Sequence, residues 1–476
     1  MKSKKSNPPI KVIPPELLGE IFHFLASMVD PFKTWNALNT ITATCSQWRA
    51  VAISHHRIWS RLELSGDTKP AIELIRLWIF RSGDTPLDLL LHWHDNYEDE
   101  LDTAEVSEPV DEEEEYRQAA LRALIPTCSR WRTLDIKPTV DSLDLLTTLN
   151  EPLNNLKSIR FSSDPPAILY ELFEDEKPFV VFSNAPALKT VVLDSQEPFM
   201  LPVPWPQLRS YHLLGSSAGA CLWLIQQCVK LVKCTMIISD LEDHGYYQNH
   251  PPVDQHTLPD LQLWTIKTPD QADIPKIFNK VTTPALTKLR LQRQIDQSFE
   301  ETSVTGLSSL LIRSSCTLSH LELTLLTLTM SELVDILQQT PMLIDLRVSV
   351  NPFCRGDLIF TADMFKALTR SRSASNMSLL GMPLLVPQLR SCMFRGKMVD
   401  DFSYLVELIA SRIGKSGWED VIQDSQIIEK LRLEKVQEAG PVLESPLLRN
   451  VLLWKKEGYC VSINGYPKVA ARGYRS

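Results

Sequence analysis

The sequence predicts a mixed α/β chain: a small N-terminal three-helix module followed by an irregular solenoid of alternating strands and helices. Three observations predict it. A helical apolar period near the N-terminus is too short to stand alone, a short strand-like unit recurs beyond residue 125, and one stretch more than accounts for the net negative charge. Of the 476 residues, 44% are hydrophobic and 22% charged, so the chain can bury a large core. A chain that is disordered throughout is excluded.

Residues 1–9 read as a flexible end, in which Lys2, Lys4 and Lys5 resemble a solubilising tail more than a nuclear signal. The first helix should start at Pro14-Pro15, where proline suits a helix start, and run to about Ala26 with Glu16 in its first turn. Its apolar residues Leu17, Leu18, Ile21, Phe22 and Leu25 recur at spacings of three and four. So short a helix must pack against something. After Asp30-Pro31, the residues Trp35, Leu38, Ile41, Cys45 and Trp48 continue the period. They predict two further helices that break near Cys45-Ser46. Ile58-Trp59 closes a module over 10–58, and Arg61-Leu62-Glu63-Leu64 alternates like a strand.

This segment resembles an F-box: Ile13-Pro14, Glu16-Leu17-Leu18, Ile21-Phe22, Cys45 to Trp48 and Ile58-Trp59 stand where the family has its motif. It is similar to the form found in mushroom-type fungi, where a W-x-x-L-x-L strand, here Trp59 to Leu64, leads into leucine-rich sequence. Ile13 replaces the usual Leu, the connector between Leu25 and Cys45 is long, and His55-His56 stand near the usual Pro. The resemblance implies a substrate-recognition subunit of a Skp–cullin–F-box E3 ubiquitin ligase. Pro14, Leu17, Leu18, Ile21 and Phe22 match the positions that contact the Skp-type adaptor, and through it a cullin scaffold. The alternative is a leucine-rich interaction scaffold without a ligase role.

Residues 95–115 carry 12 carboxylates and no Lys or Arg. Against a formal net charge of -9, the rest of the chain is slightly basic at +3. The stretch is expected to be a disordered acidic insertion between apolar segments.

From residue 59 to about 470 the expected architecture is a degenerate leucine-rich-repeat array. The unit apolar-x-x-apolar-x-apolar appears eleven times, from Trp131-Leu134-Ile136 through Leu289-Leu291 and Leu321-Leu323 to Leu431-Leu433. Its last two apolar residues face one side of a strand. Helical stretches at 220–229 and 331–339 fall between units, and Thr329-x-x-Glu332 is a capping box for the second. The second and fourth positions after each first apolar residue face away from the core, and across the eleven units they hold seven basic and three acidic residues. Arg160, Lys288, Arg290 and Arg347 are therefore the candidate substrate-binding residues, expected to take an acidic or phosphorylated protein segment.

No nucleotide-binding glycine loop, H-E-x-x-H or G-x-S-x-G is present, so no catalysis and no cofactor is expected. Nine scattered Cys without a C-x-x-C, and His92-Trp93-His94 without a completing pair, give no metal site. A pI near 5.7 argues against nucleic-acid binding, and no apolar run predicts secretion or a membrane span. The expected location is the cytoplasm, the nucleus or both.

Overall fold

The computed structural model describes residues 13–28, 34–65, 69–92, 110–149, 151–162, 180–194, 201–239, 255–294, 306–350, 360–371, 377–396, 403–413, 430–435 and 460–464. The chain divides into two compact units, 1–208 and 209–476.

The first unit begins with α1 (Pro15–Met28), α2 (Thr34–Thr44) and α3 (Ser46–Ser54), followed by a 3-10 turn at His56–Trp59. The break foreseen at Cys45-Ser46 is a helix cap: the Cys45 Sγ accepts from the Trp48 backbone N–H at 3.4 Å. The chain then alternates through β1 (Arg61–Ser65), α4 (Ile72–Arg81), β2 (Leu87–His92), α5 (Val110–Leu124), β3 (Trp131–Lys137), α6 (Val140–Thr147), β4 (Ser158–Ser162) and β5 (Thr190–Asp194). Strands β1 to β5 pair in sequence order, all parallel. Parallel pairing requires a crossover between strands, and the intervening helices supply the first three. Leu62, Leu64, Leu89, Leu91, Leu134 and Ile136 point to the covered face, where Ile75, Trp78, Leu121 and Leu143 of the helices meet them, all buried.

Only the end of the acidic stretch lies among the described residues, and that end is helical rather than disordered. Its last residues, Asp111 to Glu115, lie in the opening turns of α5, and the remainder to residue 109 falls outside the described residues. Carboxylates at a helix N-terminus are stabilised by the unsatisfied N–H groups there. Glu114 also pairs with Arg117 at 3.4 Å and accepts from the Thr139 hydroxyl at 3.1 Å. The five carboxylates from Asp111 to Glu115 are thus carried on a helix that packs against α4.

The second unit repeats the alternation: β6 (Ser210–Ser216), α7 (Ala218–Gln227), β7 (Lys233–Ile238), the short β8 (His256–Thr257), β9 (Leu263–Thr268), α8 (Asp273–Phe278), the short β10 (Val281–Thr282), β11 (Lys288–Arg293), α9 (Leu307–Ser314), β12 (His320–Leu326), α10 (Met330–Gln338), β13 (Asp345–Val350), α11 (Ala362–Leu368), β14 (Ser391–Gly396), α12 (Ser403–Ile413), β15 (Lys430–Lys435) and β16 (Cys460–Asn464). Except for the β8–β10 pair, its strands form a parallel sheet in chain order. All eleven recurring units are strands, β3 to β7, β9 and β11 to β15; β16 lacks the pattern and went unforeseen. The capping box at Thr329 and Glu332 is formed on both sides.

Two strands bulge at equivalent places. In β6 the register shifts around Gly215 (φ 75°), and in β12 around Leu325 (φ 60°). The left-handed conformation suits the glycine and strains the leucine.

Candidate functional site

The N-terminal module is held together by one face of α1. Leu18, Phe22 and Ala26 are buried, and the Phe22 ring lies 4.9 Å from that of Trp48 on α3. Gly19 sits under the His55 imidazole, where an added Cβ would come within 2.7 Å of Nδ1. Glycine is thus required by close approach rather than by backbone angle. Trp59 anchors the far end: its Nε1 donates to the Ala52 carbonyl at 2.7 Å, its ring meets Trp78 edge-on at 5.0 Å, and the Arg81 guanidinium lies 4.6 Å above it. Trp48 and Trp59 are packing residues. On the polar side Glu20 pairs with Arg57 at 3.3 Å and lies 3.7 Å from His55. Burial, then the Arg57 charge, lowers the pKa of His23, which keeps this corner from gaining another cation.

The opposite face of α1 is apolar and open to solvent. Leu17, Ile21, Phe24, Leu25 and Met28 are between 43% and 68% exposed, and their spacings of three and four make one continuous stripe. Pro14 is exposed beside its start. A helix of this length presents the stripe over about 20 Å. Scattered exposed leucines need no explanation, whereas five large side chains on one helix face form a patch suited to a partner.

This divides the five residues assigned to the adaptor. Pro14, Leu17 and Ile21 lie on the open face, while Leu18 and Phe22, each 1% exposed, belong to the module's core. Successive helical residues are rotated by 100°, so positions 17 and 21 share a surface that 18 and 22 leave. The broad stripe in the sequence is two stripes, one turned inward and one outward. Phe24 and Met28 extend the outer one and were missed, although the continuation of the period from Ile21 marks both.

The candidate substrate-binding residues are brought together only in part. Arg160 is in the first unit, 3.6 Å from Asp135, which also bonds His92 at 2.7 Å. Lys288, Arg290 and Arg347 are in the second unit on β11 and β13. Between these strands, Glu322 of β12 lies 3.5 Å from Arg290 and 4.0 Å from Arg347, and Arg347 also pairs with Asp345 at 3.1 Å. Arg160, Arg290 and Arg347 are thus engaged by neighbouring carboxylates, because register aligns opposite charges from strands far apart in sequence. Among the described residues no group of three or more His, Cys, Asp or Glu could hold a metal, and no helix is long and apolar enough to cross a membrane. Cys228 and Cys392 are buried, which pushes both thiols up to about 12.

Residues 10–65 match the F-box-like family, a range that includes the three helices, the 3-10 turn and β1. The chain therefore carries an F-box-like domain at its N-terminus, followed by mixed α/β structure with extensive parallel sheet. No match was found among curated proteins. Among solved structures, a chain from the crystal structure of the Rad7 and Elc1 complex in yeast aligns over 81% of this chain and 90% of its own length, at 12% identity and a TM-score of 0.33.

Proposed function

We propose that the protein is the substrate-recognition subunit of a Skp–cullin–F-box E3 ubiquitin ligase, without catalytic activity or cofactor of its own. In this reading the α1 face docks a Skp-type adaptor, the adaptor links to a cullin, and the strand-and-helix region is a degenerate leucine-rich array, of the kind seen in mushroom-type fungi, that selects the substrate. One observation carries it: an F-box-like domain whose first helix leaves Leu17, Ile21, Phe24, Leu25 and Met28 uncovered. Large apolar anchors buried at a protein interface are worth about 2 kcal/mol or more each. Solvent-exposed positions also tolerate substitution with little effect on folding.

The test is co-purification of the full chain with a Skp-type adaptor, using the variant Leu17→Asp with Ile21→Asp. The variant should keep its far-UV circular dichroism and lose the adaptor, with affinity reduced by more than about 100-fold. Adaptor binding undiminished in a folded variant, or no adaptor binding by the unmodified chain, would overturn the reading.

A further inference from the structure

The polar edge of α1 is held by one side chain. Glu20 and His23 are about one turn apart, and Glu20 stands three residues after Leu17 and four before Phe24, so this edge borders the apolar stripe. Arg57, on the 3-10 turn, reaches both: its Nη1 donates to the Glu20 Oε1 at 3.3 Å, and its Nη2 lies 3.4 Å from the His23 Nε2. A guanidinium has only donors and keeps its charge throughout. The His23 Nε2 is therefore the acceptor, which requires a neutral imidazole with its proton on Nδ1.

The turn that carries Arg57 is fixed on both sides of it. The His56 Nδ1 donates to the Arg81 carbonyl at 2.7 Å, and Trp59 packs against Trp78 and Arg81. Arg57 thus joins the polar edge of α1 to a frame anchored on α4. The core of the module is supplied by Leu18, Phe22 and Ala26, and a largely solvated contact adds little to folding stability. What it sets is the aim of α1.

We propose that Arg57 is a positioning residue for adaptor docking, and that neutral His23 makes this docking sensitive to protons. The inference rests on the substrate-recognition reading and adds to it two residues outside the apolar stripe. The groups facing His23 are Glu20 on its own helix, His55 at the end of α3, Arg57 on the turn and Arg132 of β3, the last paired with Asp88. Only one of the four is an acid. A proton on His23 turns its Nε2 into a donor, ends the contact with Arg57 and sets a second cation beside it. The charged ring then competes with Arg57 for Glu20. His55 offers no acceptor in exchange: its ring covers Gly19, its centroid is 6.4 Å from that of His23, and its Nε2 lies 3.7 Å from Glu20 without a hydrogen bond among the described residues. Burial first, and the Arg57 charge second, hold the His23 pKa below the ordinary 6.5. The bridge is therefore closed above that value and opens as pH falls below it.

The experiment makes two measurements on the full chain. One is affinity for a purified Skp-type adaptor over a pH series descending through and below the ordinary histidine value; the other is the imidazole nitrogen NMR signals of the ten histidines without adaptor. His23 is the signal missing from His23→Gln. It should show its proton on Nδ1, and its titration midpoint should rise in Arg57→Gln, because a charge that disfavours the proton is gone. With circular dichroism unchanged, Arg57→Gln should weaken adaptor binding roughly fivefold above the histidine range. As pH falls, the unmodified chain should lose roughly fivefold more affinity than His23→Gln does, a comparison that cancels any titration of the adaptor itself. Should Arg57→Gln be unstable, the pH slope of His23→Gln decides alone. Undiminished binding by folded Arg57→Gln, equal pH slopes for the unmodified chain and His23→Gln, or a His23 proton on Nε2 would each overturn the proposal. Absence of adaptor binding by the unmodified chain at every pH, beside a midpoint that moves with Arg57→Gln, would overturn the ligase reading and leave the bridge between Arg57 and His23 standing.

Discussion

Replacing Arg412 by Met should loosen the C-terminal part of the second unit and leave the N-terminal domain untouched. Arg412, on α12, is wholly buried and spends its guanidinium on carbonyl oxygens. Nε and Nη2 donate to Leu368 at 3.2 and 2.8 Å, Nη1 to Val386 and Pro387 at 3.2 and 3.3 Å, and Nη2 to Leu385 at 3.1 Å. The fork therefore ties α12 to the end of α11 and to the loop before β14. Burial, reinforced by the neighbouring Arg370, pushes its pKa down to about 9, while the partial negative charges of four carbonyls hold the protons in place. Methionine fills similar volume but removes the fork: Pro387 keeps the Arg370 Nη2 and Val386 the Leu389 N–H as donors, while the Leu368 and Leu385 carbonyls lose theirs. At about 1–3 kcal/mol for each buried unsatisfied group the gross loss is large, and relief from desolvating a charge returns several kcal/mol. The net expectation is about 3–5 kcal/mol. Hydrogen exchange followed by mass spectrometry should show opening of 362–368 and 391–396 accelerated by about two to four orders of magnitude, the equivalent of that energy. Lysine should not rescue it, since a point charge with three donors cannot reproduce the planar fork. Unchanged protection in these segments would refute the account of the guanidinium as a clamp.

Two smaller perturbations test other features. Leu325→Gly should stabilise the second unit by about 0.5–1 kcal/mol in denaturant unfolding, the relief of a left-handed leucine outweighing glycine's entropy; a lower midpoint would show that the side chain's packing matters more. His256 has a buried Nε2 without a hydrogen-bond partner among the described residues, and burial lowers its pKa. Because the unfolded chain then binds the proton more readily, stability should be full above the ordinary histidine value and decline as pH falls through it, with His256→Leu flattening the slope. An identical pH profile for the variant would refute that assignment.

Periodicity made much of this protein legible. The alternation that places Leu289 and Leu291 on one side of a strand is a property of the extended chain itself, and the Thr329–Glu332 box is complete within four residues, so both could be read directly. The F-box-like residues were equally local, since Ile13 to Trp59 encode three helices and their breaks in one run. What the sequence left open was which neighbour each side chain meets. Leu17 and Leu18 look alike as letters, and only the packing of α1 against α3 turned one outward and the other into the core. The acidic stretch read as repulsion because its partners, Arg117 and Thr139, become neighbours only once α5 forms and packs. The basic residues counted one strand at a time gave a diffuse surplus. Register between strands far apart in sequence decided that Glu322 lies between Arg290 and Arg347 and that Asp135 faces Arg160, since electrostatic energy depends on distance in space.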